Sequence, residues 1–305
     1  MEHQQLILGT RGSDLALAQS KLVADALKAA NPGLLVEQKI ITTTGDERAT
    51  MPLHEPTAEG VGVFTRQLEQ ALLSGEIDLA VHSLKDLPVE TPTGLVLAAI
   101  LPRAPVDDLL VSRYAGGIEG LPYGARVGTS SPRRALLLKA RRPDISILPI
   151  RGNVPTRLQK LAGGVEYDAT LLAVAGLRRL GLDLSNDIIL VDGTTFKLEK
   201  LEWMLPAPGQ GAIAVETRQE DPRADLLHVL HDEATACCVT AERLVLKHLG
   251  GGCHLALGVL AVLADGKIFL RAVFVPDETS VPRSASATAT TPVEAARLVA
   301  DQLQF

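Results

Sequence analysis

The chain has 305 residues, too many for one small core, and carries 30 Lys+Arg against 36 Asp+Glu, a formal net charge of −6. Two or three domains are therefore expected, and nucleic acid is not the expected partner. Its 3 cysteines, two of them adjacent at Cys237 and Cys238, make no disulfide framework, and no apolar run approaches membrane-spanning length; a reducing cytoplasm, no leader and no membrane contact are expected.

Scarce aromatics with 26 Gly and 18 Pro suit an α/β protein with many short connections. Leu6 to Gly9 reads as a short buried strand, followed by the polar turn Thr10-Arg11-Gly12-Ser13. From Asp14 the apolar positions Leu15, Ala18, Leu22, Val23 and Leu27 fall at helical spacing, with Ser13 as N-cap and Asn31-Pro32-Gly33 as the stop. Leu34 to Thr42 is the next strand. This β-turn-α-β unit predicts a parallel pair whose functional turn, with Arg11 and Ser13, lies at the carboxyl end of the first strand. Ser13 can cap the helix and contact a ligand at once. Residues 43–62 form a loop rich in Thr, Glu, Pro and Gly, of a length that is usually functional or mobile. Phe64 to Leu73 reads as a helix with Leu68 and Leu72 inward. Ile77 to Val81 is a strand running straight into His82-Ser83-Leu84-Lys85-Asp86-Leu87-Pro88. Open α/β sheets place their sites at such strand ends, although Lys85 and Asp86 also suit a plain surface loop. Gly94 to Leu101 is another strand, and Pro102 to Pro105 marks a boundary.

A second α/β unit follows. Arg126 to Gly128 opens into Thr129-Ser130-Ser131-Pro132-Arg133-Arg134, where Ser131 is the N-cap and Pro132 the first helical residue. Hydroxyls and N–H groups at such a helix start form a ready anion site. Ile145 to Ile150 ends at Arg151-Gly152-Asn153, with Pro155 starting the next helix, and Ala169 to Val174 leads into Ala175-Gly176-Leu177-Arg178-Arg179. Residues 126–160 hold nine basic side chains and one acid, Asp144. Lys139, Arg141 and Arg142 suit a solvated helix end. Arg133, Arg134, Arg151, Arg157 and Arg179 lie at or near strand ends and predict a pocket for a polyanion, which guanidinium groups hold bidentately. No Walker-type lysine motif or Gly-x-Gly-x-x-Gly fingerprint is present, so a nucleotide is not expected.

Leu205-Pro206-Ala207-Pro208-Gly209-Gln210-Gly211 leads into an apolar strand, Ala212 to Val215, and reads as a crossover back to the first domain. Two domains joined by two crossings predict a hinge with a cleft. Ala224 to His231 and Ala234 to Leu249 read as helices. Leu255 to Leu263 and Lys267 to Val275 form a hairpin across Asp265-Gly266, Ser284 to Thr290 is a third strand, and Pro292 to Leu303 a closing helix. Before the hairpin, Gly250-Gly251-Gly252-Cys253 delivers one thiol on a run without Cβ atoms. Taken alone, Cys253 reads as a buried thiol after a turn.

The residues also carry a resemblance. Thr10-Arg11-Gly12-Ser13, Val81-His82-Ser83-Leu84-Lys85-Asp86, residues 127–134, Arg151-Gly152-Asn153-Val154, residues 172–177, residues 208–212, Val239-Thr240-Ala241-Glu242-Arg243 and Gly251-Gly252-Cys253 resemble, in order and over essentially the whole chain, the porphobilinogen deaminase (hydroxymethylbilane synthase) family. The resemblance implies two α/β domains similar to periplasmic binding proteins with a hinge, residues 1–102 with 206–221 and residues 103–205, plus a small α+β C-terminal domain, residues 222–305. It implies a dipyrromethane cofactor on Cys253 through a thioether. Four porphobilinogen molecules are added to it head to tail with loss of ammonia, and hydrolysis releases a linear tetrapyrrole for porphyrin (heme-type) biosynthesis. Asp86 would be the catalytic carboxylate, stabilising the positive charge that develops on pyrrole N–H. Arg11, Ser13, Phe64, Ser83, Lys85, Thr129, Ser130, Ser131, Arg133, Arg134, Arg151, Gly152, Asn153, Arg157, Ala173, Arg179 and Gln210 would bind cofactor and substrate, and no metal is implied. A cytoplasmic monomer acting on a small molecule is the family expectation.

The chain departs from the family pattern at three places. Glu59-Gly60-Val61-Gly62 lacks the usual loop lysine, Ala104-Pro105-Val106-Asp107-Asp108 replaces a mixed-charge cluster, and His254-Leu255-Ala256 replaces Gln-x-Pro. Two other readings fit the residues: a non-catalytic hinge-type anion-binding protein, which leaves Asp86 and Cys253 without a purpose, and an enzyme using Cys253 as a transient nucleophile. The second wants a histidine base, and His254, as a strand neighbour, would point to the opposite face.

Overall fold

The computed structural model describes residues 5–42, 65–252 and 255–304, and divides into two compact units, residues 1–104 with 212–239 and residues 105–211 with 240–305. In the first unit β1 (Gln5–Thr10), β2 (Leu35–Ile40) and β3 (Leu79–Ser83) are parallel, and β4 (Leu95–Ile100) joins them through a later strand, β11 (Ile213–Arg218), giving the order β2-β1-β3-β11-β4. β11 is antiparallel to both of its neighbours, so the expected return of the chain to the first sheet is found. The apolar alternation and continuous runs of these strands bury Leu6, Leu8, Leu79, Val81, Ala99, Ile213 and Val215 in one core with Val23 and Leu27.

Those last two come from α1 (Asp14–Ala30), capped by Ser13, whose Oγ accepts from Ala16 N. The helix buries Gln19, Ser20, Val23, Ala24 and Leu27, whereas Leu22, expected inward, is 48% exposed. Two polar residues occupy the buried stripe because each finds a partner. Ser20 Oγ donates to the Ala16 carbonyl, as helical serines can, and Gln19 bonds to Ser83. α2 (Arg66–Leu73) buries Leu68 and Leu72 as expected; Phe64 lies outside the described residues. Ala224 to His231, read as a helix, is a 3-10 helix over Ala224–Leu230.

The second unit holds β5 (Asp108–Ser112), β6 (Arg126–Gly128), β7 (Ser146–Leu148), β8 (Ala169–Ala173), β9 (Ile188–Val191) and β10 (Thr194–Lys200) in one sheet of order β7-β6-β8-β5-β10-β9. Here too the parallel trio β7-β6-β8 continues into an antiparallel strand, β5. β5, β9 and β10 escaped the sequence reading. β5 is short and opens on a charge, Asp108, while β10 buries only Phe196 and Leu198 among seven residues. The β9–β10 turn at Asp192-Gly193 has φ of 48° and 76°, as two-residue hairpins require. α3 (Pro132–Arg141) and α4 (Val154–Gly163) start at Ser131 and Asn153, each accepting the N–H three residues on. α5 (Val174–Arg179) follows β8 directly.

α6 (Glu233–His248) runs from the first unit into the second. β12 (Ala256–Ala264), β13 (Lys267–Val275) and β14 (Arg283–Ala289) form the expected antiparallel sheet, and α7 (Pro292–Gln304) packs on β13 and β14. β12 is an edge strand, a place where open N–H groups invite pairing. Two of them are taken, by the Pro206 carbonyl at Val259 and by Glu242 Oε1 at Ala261. The fold class is thus the expected mixed α/β with a small α+β portion. Among the described residues no helix is long and apolar enough to cross a membrane.

Candidate functional site

In a parallel sheet the carboxyl ends of adjacent strands open on the same edge, so the loops leaving them are neighbours. In the first unit β1 and β3 are adjacent, which brings Arg11, Gly12 and Ser13 to the same edge as Ser83, Lys85 and Asp86. Residues 84–86 form a single 3-10 turn in which Leu84 is buried, Lys85 half-buried and Asp86 exposed. The turn is anchored through Leu84 N, which donates to the Ala212 carbonyl. Ser83 Oγ lies 2.9 Å from Gln19 Nε2 and 3.1 Å from its Oε1.

In the second unit β6 lies between β7 and β8. Thr129-Ser130-Ser131, Arg151-Gly152-Asn153 and Ala173 accordingly emerge side by side. Ser130 Oγ donates to the Ile150 carbonyl and accepts from Ile150 N, binding the first two loops together. Gly152 has φ +109°, and a Cβ there would lie 2.6 Å from Thr156 Cγ2, so this turn requires glycine. Arg157 Nε donates to the Gly152 carbonyl at 2.8 Å, while Arg151 is exposed. Arg179 donates to the Gly211 carbonyl at 2.6 Å, and burial lowers its guanidinium to about 10. Two helix N-termini, of α3 and α4, join this edge, each bringing backbone donors and a positive dipole end.

Arg133 and Arg134, expected at a ligand, are buried, at 3% and 6% exposure, and both close on Asp108. Arg133 Nη2 is 2.6 Å from Asp108 Oδ2, and Arg134 Nη2 is 2.7 Å from Oδ1. Arg133 Nη1 donates to the Leu205 carbonyl and Arg134 Nη1 to the Leu171 carbonyl. Gln210 Nε2 completes the set, 3.0 Å from Asp108 Oδ1 and 2.6 Å from the Val106 carbonyl. Burial alone would raise the Asp108 carboxyl, but the charges of Arg133 and Arg134 prevail and hold it well below the usual carboxylate range. One carboxylate for two guanidinium groups leaves this cluster with a net positive charge. Arg133 Nε is buried without a hydrogen-bond partner among the described residues.

Asp108 is the residue that sequence reasoning missed at this site. Its signal was an acid opening an apolar strand run in a chain with an unmatched basic stretch. Cys253, the expected attachment point, and Phe64 lie outside the described residues.

Comparison with known proteins decides the family. The family description "Porphobilinogen deaminase, dipyromethane cofactor binding domain" matches residues 6–225, and the C-terminal domain of the same family matches residues 236–304. The chain belongs to the porphobilinogen deaminase family. The porphobilinogen deaminase of Rubrobacter xylanophilus is 48% identical over 90% of this chain and 85% of its own length. That of a Roseiflexus species is 44% identical over 98% and 96%. Among solved structures, the periplasmic VFT2 domain of Bordetella pertussis BvgS aligns over 75% of this chain and 87% of its own, at 15% identity and a TM-score of 0.42. All the described binding candidates and Asp86 fall in the first porphobilinogen deaminase region, and Cys253 falls in the second.

Proposed function

We propose that the chain condenses four porphobilinogen molecules head to tail with loss of ammonia, on a dipyrromethane held by a thioether to Cys253, and releases the linear tetrapyrrole hydroxymethylbilane by hydrolysis. The observation that carries this reading is the Arg133–Asp108–Arg134 cluster. It holds two buried cations for one anion, leaves Arg133 Nε without a hydrogen-bond partner among the described residues, and is carried by the first turn of α3, which follows Thr129, Ser130 and Ser131 directly in the chain. A buried excess of positive charge is costly until an anion meets it. Carboxylate-bearing pyrroles are such anions, so the residues present fit the cofactor that the family description names.

When bound, the dipyrromethane supplies the pyrrole carbon that is extended and remains with the chain. The chain's own residues do the rest. Arg11, Ser13, Lys85, Thr129, Ser130, Ser131, Arg151, Arg157 and Arg179 bind acetate and propionate groups, each charge-assisted hydrogen bond contributing about 1.5–3 kcal/mol. Arg133 and Arg134 add charge from their buried places, and Gln210 keeps Asp108 in position. Asp86 offers a carboxylate on an exposed turn, able to stabilise a developing pyrrole N–H charge and to move a proton. The chain acts as a cytoplasmic monomer without nucleic-acid or membrane partners; 3 cysteines support the compartment and a net charge of −6 the absence of nucleic acid.

Intact mass of the purified protein tests the reading. Wild type should carry a stable adduct of two pyrrole units, and Cys253→Ser should show the bare polypeptide mass. An unmodified wild-type chain that consumes no porphobilinogen refutes the proposal and favours a plain anion-binding protein.

A further inference from the structure

β3 is the middle strand of its sheet, and it delivers Asp86 three residues beyond its end. Its last two residues are polar and point to opposite faces, because side chains alternate along a strand. His82 is 6% exposed and places Nε2 3.1 Å from Oε2 of Glu216, itself 1% exposed, on β11. In the β3–β11 register His82 faces Ala214 and Ala80 faces Glu216, so His82 and Glu216 are diagonal neighbours on one face. On the other face Ser83 meets Gln19 of α1, which is 3% exposed. Four polar side chains thus stand where leucine and alanine would bury at no cost in unsatisfied groups. Each pair is satisfied only in this register. A one-residue slip of β3 would exchange the two faces and break both pairs.

We infer that the His82–Glu216 pair, together with Gln19–Ser83, is a two-sided clamp that positions the turn carrying Asp86. The inference rests on the proposed deaminase activity, in which the Asp86 carboxylate must meet a pyrrole N–H. Sites of this kind need their groups held to within about 0.5 Å, and an exposed side chain on a three-residue turn has no such restraint of its own. The restraint comes from the strand behind it. His82 and Glu216 are therefore positioning residues and touch no substrate.

The test uses the full-length, cofactor-loaded enzyme, with kcat and KM for porphobilinogen and the melting temperature measured on each variant. Glu216→Leu should lower kcat by about tenfold or more with KM within about twofold. The double variant Glu216→Leu, His82→Leu removes both polar groups, so no buried group is orphaned and stability should recover. Its kcat should stay low, which a purely structural role would not produce. Glu216→Gln should restore kcat to within about threefold, since an amide can meet Nε2 in either tautomer. A folded double variant with kcat within about twofold of wild type overturns the inference, as does a Gln variant as slow as the Leu variant. Wild-type enzyme that turns over nothing would instead refute the activity on which the inference rests.

Discussion

Replacing Asp108 with asparagine isolates what the buried carboxylate contributes. Asparagine keeps an acceptor for Arg134 and Gln210 but leaves two guanidinium groups, whose side chains are 4% and 7% exposed, without a counter-charge. Removing one partner of a buried ion pair costs about 3–5 kcal/mol, and the retained acceptor puts the expectation near 3 kcal/mol. The single tryptophan, Trp203, lies in the second unit beside Arg141. Urea unfolding followed by its fluorescence therefore reads that unit, which matters in a chain of two compact units, where a single two-state transition is not assured. The pH dependence gives a second check. A carboxyl held below its ordinary value stabilises fully above its unfolded pKa, about 3.9, and loses that contribution as pH falls toward the folded value. The gap between wild type and Asp108→Asn should accordingly be constant from about pH 8 to 5 and narrow below about pH 4. A gap smaller than about 1 kcal/mol at neutral pH, or one unchanged down to about pH 3, would refute the account of this cluster.

Asp86→Ala should lower turnover by about 10²–10⁴-fold while the melting temperature stays within about 2 °C, because the side chain is exposed; near-normal turnover would remove Asp86 from the mechanism. Ser131→Ala removes the α3 cap and should cost about 1 kcal/mol of stability in urea titration. The same variant should raise KM if the hydroxyl also binds a carboxylate, so an unchanged KM would leave Ser131 as a cap alone. Glu242→Ala strips the acceptors from Gly209 N and Ala261 N, both buried. It should cost about 2–4 kcal/mol and accelerate hydrogen exchange at those two amides, and unchanged exchange at either would show that another acceptor replaces the carboxylate.

Most of the scaffold was legible because it is written in local terms. The caps Ser13 and Ser131, the proline-started helices, and the hairpin at Asp265-Gly266, whose φ values are 50° and 69°, are short-range signals with short-range causes. Two of the strands that were missed, β9 and β10, carry the same turn signal, Asp192-Gly193 with φ of 48° and 76°, but not two equally clear flanking runs. Both lie at the border of their sheet: β9 is a four-residue apolar run, Ile188–Val191, with Leu190 exposed, so its sequence does not alternate, and β10 alternates but buries only Phe196 and Leu198. α1 shows the opposite failure, a strong apolar pattern whose true buried stripe includes Gln19 and Ser20.

The candidate site divides along the same line. Strand ends that deliver Arg11, Asp86, Thr129 and Arg151 could be found by counting elements, since topology alone puts them on sheet edges. Which arginines face outward could not be counted. Arg133, Arg134 and Arg151 are equivalent as letters, yet Arg151 is exposed while the other two are drawn inward by an aspartate 26 and 25 positions away along the chain from Arg134 and Arg133. A long-range pair of opposite charges leaves no periodicity to detect. It must be recognised as an imbalance: an acid at the start of a buried strand, a histidine and a glutamate inside two others, each in a place where the core would otherwise be apolar. Asp108 and the His82–Glu216 pair share that description, and each lies directly behind a surface that the proposed reaction uses. In both, a buried polar side chain on one strand is met by partners on another element, Arg133 and Arg134 of α3 for Asp108 and Glu216 of β11 for His82, and that pairing rather than any local pattern is what holds it there.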